Sequence, residues 1–136
     1  LVEESSDVLA IHEPDGRLRW ISPSVQRLVG WTAAERMAAD VSLVHPDDQP
    51  ALDAVTAAIR AGADSGTARV RLLHKDGRHV WVMSSARAWR DDDREIVALV
   101  VVTHDVLDAL LLADRVVVLA TESENVDRDS VVATRR

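Results

Sequence analysis

The alternation of apolar and polar positions predicts a β-hairpin at the start of the chain. Residues 7–12 form a short apolar run, and residues 17–21 form a second run that alternates until Trp20. The turn between them contains Pro14, which fixes φ, and Gly16, which permits a positive φ. Two such runs around a tight turn are typical of paired antiparallel strands.

Three more strands are predicted in the second half of the chain. Residues 68–74 and 79–89 alternate on either side of Asp76-Gly77, and this dipeptide is a preferred hairpin tip. Residues 96–102 are apolar at nearly every position, which predicts a strand buried on both faces. We therefore expect these strands to form an antiparallel meander.

Helical signals fill the interval between the hairpin and the meander. Ser22 is a candidate N-cap before a proline, and Gly30 is placed to stop the helix that follows. Thr32 and Glu35 have the spacing of a capping box, which predicts a second short helix directly after the first one.

A third and longer helix is predicted to run to about Ala61, with either Asp47 or Asp48 as its cap. The order of elements is then β-β-α-α-α-β-β-β, an α+β fold with helices on one face of an antiparallel sheet. The apolar positions of the third helix recur every three to four residues and are Leu52, Val55 and Ile59.

The sequence predicts a domain that spans residues 1–106. Residues 107–136 are predicted to form a C-terminal extension that contains a linker or signalling helix and a polar tail. Leu107–Ala120 places apolar residues at helical spacing, although the consecutive apolar residues 116–119 are also compatible with a strand. Residues 121–136 are mostly polar, which is typical of a frayed tail.

Composition narrows the function. The chain has 136 residues, enough for one hydrophobic core, and a net charge of −7, which opposes binding to nucleic acid. The absence of cysteine excludes disulfides and thiolate chemistry. No apolar run is long enough for a membrane span, and no signal peptide opens the chain. Because the chain begins at Leu1 without a methionine, we expect a fragment of a longer, cytoplasmic protein.

Short motifs in a characteristic order carry a family resemblance. They are DGRL at 15–18, LVGWTAAE at 28–35, VHPDD at 44–48, KDGR at 75–78 and VVTHDV at 101–106. In this order and spacing, they resemble the PAS family, in particular its PAS-3-like branch. The chain departs from the family at Ser22, where many relatives have asparagine.

The resemblance implies a five-stranded sheet with a ligand pocket between its inner face and the helices. Family members use this pocket for haem, flavin, small acids or fatty acids, or leave it empty. The long strand carries small residues at even positions, which leaves space beside the sheet, although Trp20 or Leu28 can equally fill that space as packed core. The predicted pocket-lining residues are Ala10, His12, Leu28, Val70, Leu72, Val82, Ser84, Ala86, Leu99, Val101 and Thr103.

The opposite face of the sheet and the end of the last strand have other predicted roles. Many relatives pair through the outer face, and a large exposed apolar patch needs a cover, so we expect a homodimer. The resemblance implies that Asp105 and Val106 relay the signal to an effector domain in the same parent chain. The predicted outer-face residues are Trp81, Met83, Trp89, Val100 and Val102.

Candidate chemistry beyond ligand binding is sparse. Haem-binding relatives carry an axial histidine on the long helix, which has none here, and cysteinyl-flavin chemistry needs a cysteine, so the cofactor remains unknown. The histidines lack paired metal spacing, and neighbouring Asp47 and Asp48 do not converge on one substrate. His12 is either a ligand contact or a satisfied core histidine, and we expect His45 to make hydrogen bonds at a helix start.

Two functions follow from these observations. The first is a regulatory PAS sensor that binds a small apolar ligand and relays a signal to a C-terminal effector. The second is a ligand-free module that mediates dimerisation or another protein–protein interaction. We expect no catalytic activity, because no catalytic constellation is present.

Overall fold

A computed structural model describes residues 7–39 and 41–106. The predicted helix or strand at Leu107–Ala120 and the polar tail lie outside the described residues. The elements, in chain order, are β1 (Val8–His12), β2 (Leu18–Ile21), α1 (Val25–Val29), α2 (Ala33–Ala38), a 3₁₀ turn (Pro46–Asp48), α3 (Gln49–Arg60), β3 (Ser65–Leu73), β4 (His79–Arg90) and β5 (Ile96–Asp105).

The strands form one five-stranded antiparallel sheet in the order β2-β1-β5-β4-β3. The first strand therefore pairs with the last one, and this long-range pairing closes the fold. The fold class expected from the sequence is confirmed, since the hairpin, the three helices and the meander follow in the predicted order.

The first helix begins later than the sequence predicts. Ser24 is its N-cap and makes no side-chain capping bond, whereas Ser22 is fully buried and binds the backbone of β1. The helix ends at Gly30, whose φ of +79° closes the turn as expected. The capping box of Thr32 and Glu35 is present at the start of α2.

Strands β3 and β5 are longer than the apolar runs that signal them, because polar residues continue the backbone pairing. Strand β3 starts at Ser65, and β5 continues to Asp105. The prediction that β5 is buried on both faces is wrong in part, since Val97 is 41% exposed on one side while Ala98 is fully buried.

The long helix α3 packs closely on strand β3. A Cβ atom at Gly66 would lie 2.9 Å from Cγ1 of Val55, so the glycine permits this close approach. At the C-terminal end of α3, Arg90 Nη2 donates to the carbonyl oxygen of Ile59 at 2.8 Å. A cation at a helix C-terminus also interacts favourably with the helix dipole.

The outer edge of β3 is partly covered by the segment before α3. The Leu73 amide donates to the Leu43 carbonyl at 2.8 Å, and the His45 amide donates to the Arg71 carbonyl at 2.9 Å. The His45 side chain accepts from the Asp47 amide at 3.1 Å, which is the structural role expected for it. Hydrogen bonds of this kind protect an edge strand from non-native pairing.

Candidate functional site

The strand register places the predicted pocket residues on the inner face of the sheet. Paired residues share a face, and Ala10, Val101 and Ala86 lie in one row across β1, β5 and β4. The next row contains Thr103 and Ser84. The same alternation places Val70, Leu72, Val82 and Leu99 on this face.

Two buried clusters form the core beneath the helices. One joins β1, β2 and α1 and includes Ala10 and Val29, and the other joins β3 and β4 and includes Val70 and Val82. Leu28 of α1 packs against both clusters.

The two bulky residues considered as pocket fillers have different positions. Trp20 pairs with Ile11 on the outer side of the hairpin and is 42% exposed, so it does not fill the interior. Leu28 does reach the interior and is half-buried. Of these two residues, only Leu28 therefore contributes its side chain to the interior.

Small inner-face residues between the clusters keep partial exposure. Ser84, Ala86 and Val101 are half-buried. Val82, which lies two residues before Ser84 on the same face of β4, is fully buried. These short side chains lie on the inner face of the sheet, and Val101 packs against the cluster that includes Ala10 and Val29. This region is the candidate ligand site.

A pair of hydroxyl groups gives the candidate site its polar point. Ser84 Oγ lies 2.9 Å from Thr103 Oγ1, in hydrogen-bond contact across β4 and β5. One hydroxyl donates to the other, which leaves one donor hydrogen and several acceptor lone pairs for a ligand. A mostly apolar wall with a few fixed polar groups is typical of small-molecule sites.

His12 lies at the end of the inner face, beside the β1–β2 turn. It pairs with Leu99 in the register, and its Nδ1 donates to the Gly16 carbonyl at 3.0 Å. The imidazole is therefore held by its own hairpin, and Nε2 is the ring nitrogen left to meet a ligand.

A buried serine network, which sequence reasoning missed, joins β1 to the turn before α1. Ser22 Oγ accepts from the Leu9 amide at 2.9 Å and contacts Ser24 Oγ at 2.7 Å. Ser24 donates to the Asp7 carbonyl at 2.6 Å. The departure at Ser22 from the asparagine of many relatives was the sequence signal for this network.

Asp7 also connects the beginning of β1 to the end of β5. Its Oδ1 lies 2.6 Å from Nδ1 of His104, the residue before the predicted relay position Asp105. Asp105 itself pairs with Val82 in the register, at the inner-face end of β5, and Val106 is the last described residue. The residue that precedes β1 and the end of β5 are thus in direct contact.

The outer face carries the remaining predicted residues. Trp81 is 41% exposed and Trp89 is 57% exposed, while Met83, Val100 and Val102 are half-buried. All of them alternate with the inner-face residues of β4 and β5.

Two other observations bear on candidate chemistry. Within residues 7–39 and 41–106, no group of three or more histidine and acidic side chains is arranged to hold a metal ion. None of the helices in these ranges is long and apolar enough to cross a bilayer.

A comparison with family models decides the family. Residues 18–103 match the model described as the PAS fold, which is more than half of the chain. The chain belongs to the PAS family. PAS domains are regulatory sensor modules, and no curated protein sequence matches this chain.

Solved PAS structures share the fold. A PAS domain from Colwellia psychrerythraea superposes with a TM-score of 0.66 at 18% identity, covering 76% of this chain and 89% of its own. A sensory box histidine kinase/response regulator from Burkholderia thailandensis gives a TM-score of 0.64 at 23% identity, covering 92% and 95%. The N-terminal domain of a diguanylate cyclase with a PAS/PAC sensor from Marinobacter aquaeolei gives 0.55 at 25%, covering 74% and 94%.

Proposed function

We propose that this PAS domain senses a small apolar or amphipathic ligand through the space beside Ser84, Ala86 and Val101. The observation that carries the proposal is the partial exposure of these short inner-face side chains between two buried clusters. An aliphatic part of the ligand contacts Val101 and Leu28, and a polar group meets the Ser84–Thr103 hydroxyl pair.

The proposed output lies at the end of β5. Thr103 contributes to the hydroxyl pair, and His104 and Asp105 follow it directly on the strand. A ligand that favours one arrangement of this pair shifts the population of the strand end and relays through Asp105 and Val106 to an effector in the same chain. The Burkholderia neighbour is a histidine kinase/response regulator, which supports an effector of the signalling class. The cytoplasmic location stays a prediction.

Native mass spectrometry of the freshly purified chain tests ligand binding. We expect an adduct that is lost on denaturation in the wild type and in Ser85→Leu, whose new side chain faces outward. In Ala86→Leu, the new side chain occupies the proposed space, and the adduct should disappear. An adduct retained by Ala86→Leu, or no adduct after a screen of fatty acids, would reject this site.

Dimerisation is the second candidate function, and the exposure of Trp81 and Trp89 favours it. Large exposed aromatic side chains are enriched in protein interfaces. Light scattering distinguishes this alternative, since Val100→Glu should dissociate a dimer formed through the outer face. A wild type that stays monomeric at high concentration would exclude it.

A further inference from the structure

The outer face of the sheet contains a groove that the ligand-sensing function does not use. Its volume is about 350 Å³, and it runs across β5, β4 and β3. Small and aliphatic side chains line it, so the groove is a depression between larger neighbours on the same face. Its outward-facing residues are Val100, Val102, Ser85, Arg87, Ser65 and Thr67.

The groove has an apolar floor and a polar side. Val100 and Val102 of β5 form the floor. Thr67 Oγ1 and Ser85 Oγ are in hydrogen-bond contact at 3.1 Å along the β3–β4 side. Arg87 also lines the groove, and it is exposed.

Positive charge is concentrated on this part of an acidic chain. The net charge of the chain is −7, yet the outward positions of β3, β4 and β5 from Ser65 to His104 carry arginines and no carboxylate. Arg71 is neutralised by Asp48. Arg69 and Arg87 form no ion pair with any residue that the structure describes.

The arginine next to the groove is held in place. The guanidinium of Arg69 lies 4.9 Å from the ring centroid of Trp81, and such a cation–π contact limits its rotamers. An arginine that is already ordered loses less conformational entropy when it binds a carboxylate.

A second copy of the chain is a poor occupant of this groove. The outward positions of β3, β4 and β5 in a second copy would offer Arg87 and Arg69 further arginines and no carboxylate, and like charges across an interface are unfavourable. An inorganic anion would use the arginines and leave the apolar floor of Val100 and Val102 exposed.

We propose that the groove binds an acidic, aliphatic segment of a partner protein. Aliphatic side chains of the segment contact Val100 and Val102, its carboxylates pair with Arg87 and Arg69, and Thr67 and Ser85 offer hydrogen bonds to its backbone. This interaction is separate from ligand sensing on the inner face, and it competes with a homodimer formed through the same valines.

The probe is a short fluorescein-labelled peptide in which pairs of glutamate alternate with pairs of leucine, and its control has glutamine in place of glutamate. Fluorescence anisotropy with the full chain should show saturable binding of the acidic peptide that weakens with added salt. Arg87→Gln and Arg69→Gln should each weaken binding by about two- to fivefold. Arg17→Gln, in the β1–β2 turn, makes the same change in net charge and should have no effect.

Two further measurements locate the site. Amide shifts in a ¹H–¹⁵N spectrum should concentrate at Val100, Val102, Ser85 and Thr67 during the titration. Arg87→Glu should prefer a peptide with lysine in place of glutamate. The inference is overturned by equal binding of the glutamine peptide, by shifts on the inner face, by tighter binding of oligothymidylate, or by a dimer that already fills the groove.

Discussion

The Asp48 carboxylate binds Arg71 through three hydrogen bonds and so joins the start of α3 to strand β3. Its Oδ2 accepts from the Arg71 backbone amide and from Nε, both at 2.8 Å, and its Oδ1 accepts from Nη2 at 2.9 Å. The guanidinium also lies 4.8 Å from the ring centroid of Trp81. Asp48 occupies the N-cap position of α3 as predicted, but its side chain makes no capping bond and instead anchors the helix to the sheet.

This pair makes the stability of the domain sensitive to acid. Hydrogen bonds from Arg71 lower the pKa of Asp48 from 3.8 to about 2. Because the pKa of Asp48 is lower in the folded state, the pair contributes its full stabilisation above the pKa of the unfolded state. This stabilisation is lost as the pH falls through about 2. Urea unfolding should therefore show a smaller acid-induced loss of stability for Asp48→Asn than for the wild type between about pH 5 and about pH 2.

The matched control for this prediction is Asp53→Asn. Asp53 lies in α3 and accepts a hydrogen bond from Gln49, and it has no arginine partner among the described residues. Asp53→Asn removes one carboxylate from the same helix without removing an arginine pair, so it should lower the free energy of unfolding at neutral pH less than Asp48→Asn does. An acid-induced loss in Asp48→Asn as large as that of the wild type would contradict the role assigned to the Asp48–Arg71 pair.

Gly66 sets the distance between α3 and β3. Gly66→Ala should destabilise the domain by about 1–3 kcal/mol, since the new Cβ would lie 2.9 Å from Val55 Cγ1. In a Val55→Ala background, the same substitution should become neutral or stabilising by about 0.5–1 kcal/mol, because alanine is favoured over glycine in a strand. The free energy of unfolding from urea titrations of the four proteins checks this. Equal effects in the two backgrounds would show that the two side chains do not interact.

Two glycines with positive φ separate backbone strain from steric conflict. At Gly77, φ is +99° and nothing lies within 4 Å of an added Cβ, so Gly77→Ala should cost about 1–2 kcal/mol from backbone strain alone. At Gly30, an added Cβ would also lie 2.8 Å from Cε1 of His74. Gly30→Ala should therefore lower the free energy of unfolding further, and a cost no larger than that of Gly77→Ala would exclude a steric contribution.

The buried hydroxyl of Ser22 is expected to be the most important member of the serine network. Ser22→Ala leaves the Leu9 amide without its partner and should destabilise the domain by about 1–3 kcal/mol. Ser65→Ala, at an exposed strand position, should change stability by less than about 0.5 kcal/mol. Thermal unfolding followed by circular dichroism checks that Ser22→Ala is less stable than Ser65→Ala. Similar melting temperatures for the two variants would refute this prediction.

The sequence predicts the framework of this domain well because local signals set it. The Thr32–Glu35 capping box and the stop at Gly30 need only neighbouring residues, and both are present in the fold. The same local logic predicts Ser22 and Asp48 as helix caps. Asp48 does occupy the N-cap position of α3, but both side chains bind partners far along the chain and not the helix start. Such long-range pairing is not visible in a local pattern.

The sequence predicts on which face of the sheet the candidate site lies, but it does not predict the contacts that the side chains make there. Alternation along β4 was enough to assign Ser84 and Ala86 to one face, because the period of a strand is fixed. The Ser84–Thr103 contact depends on the register between two strands, and the outward position of Trp20 depends on the pairing of the hairpin. The charge segregation on the outer face likewise appears only when three strands are aligned.

The space beside Ala86 is the central claim, and xenon binding tests it most directly. Xenon enters apolar cavities without needing a specific polar partner. Under xenon pressure, methyl resonances of Val101 and Leu28 should shift in the wild type and in Ser85→Leu. They should not shift in Ala86→Leu, which should also fold with stability close to that of the wild type. An unresponsive wild type, together with an Ala86→Leu variant destabilised by about 1–3 kcal/mol, would show that the interior is already filled.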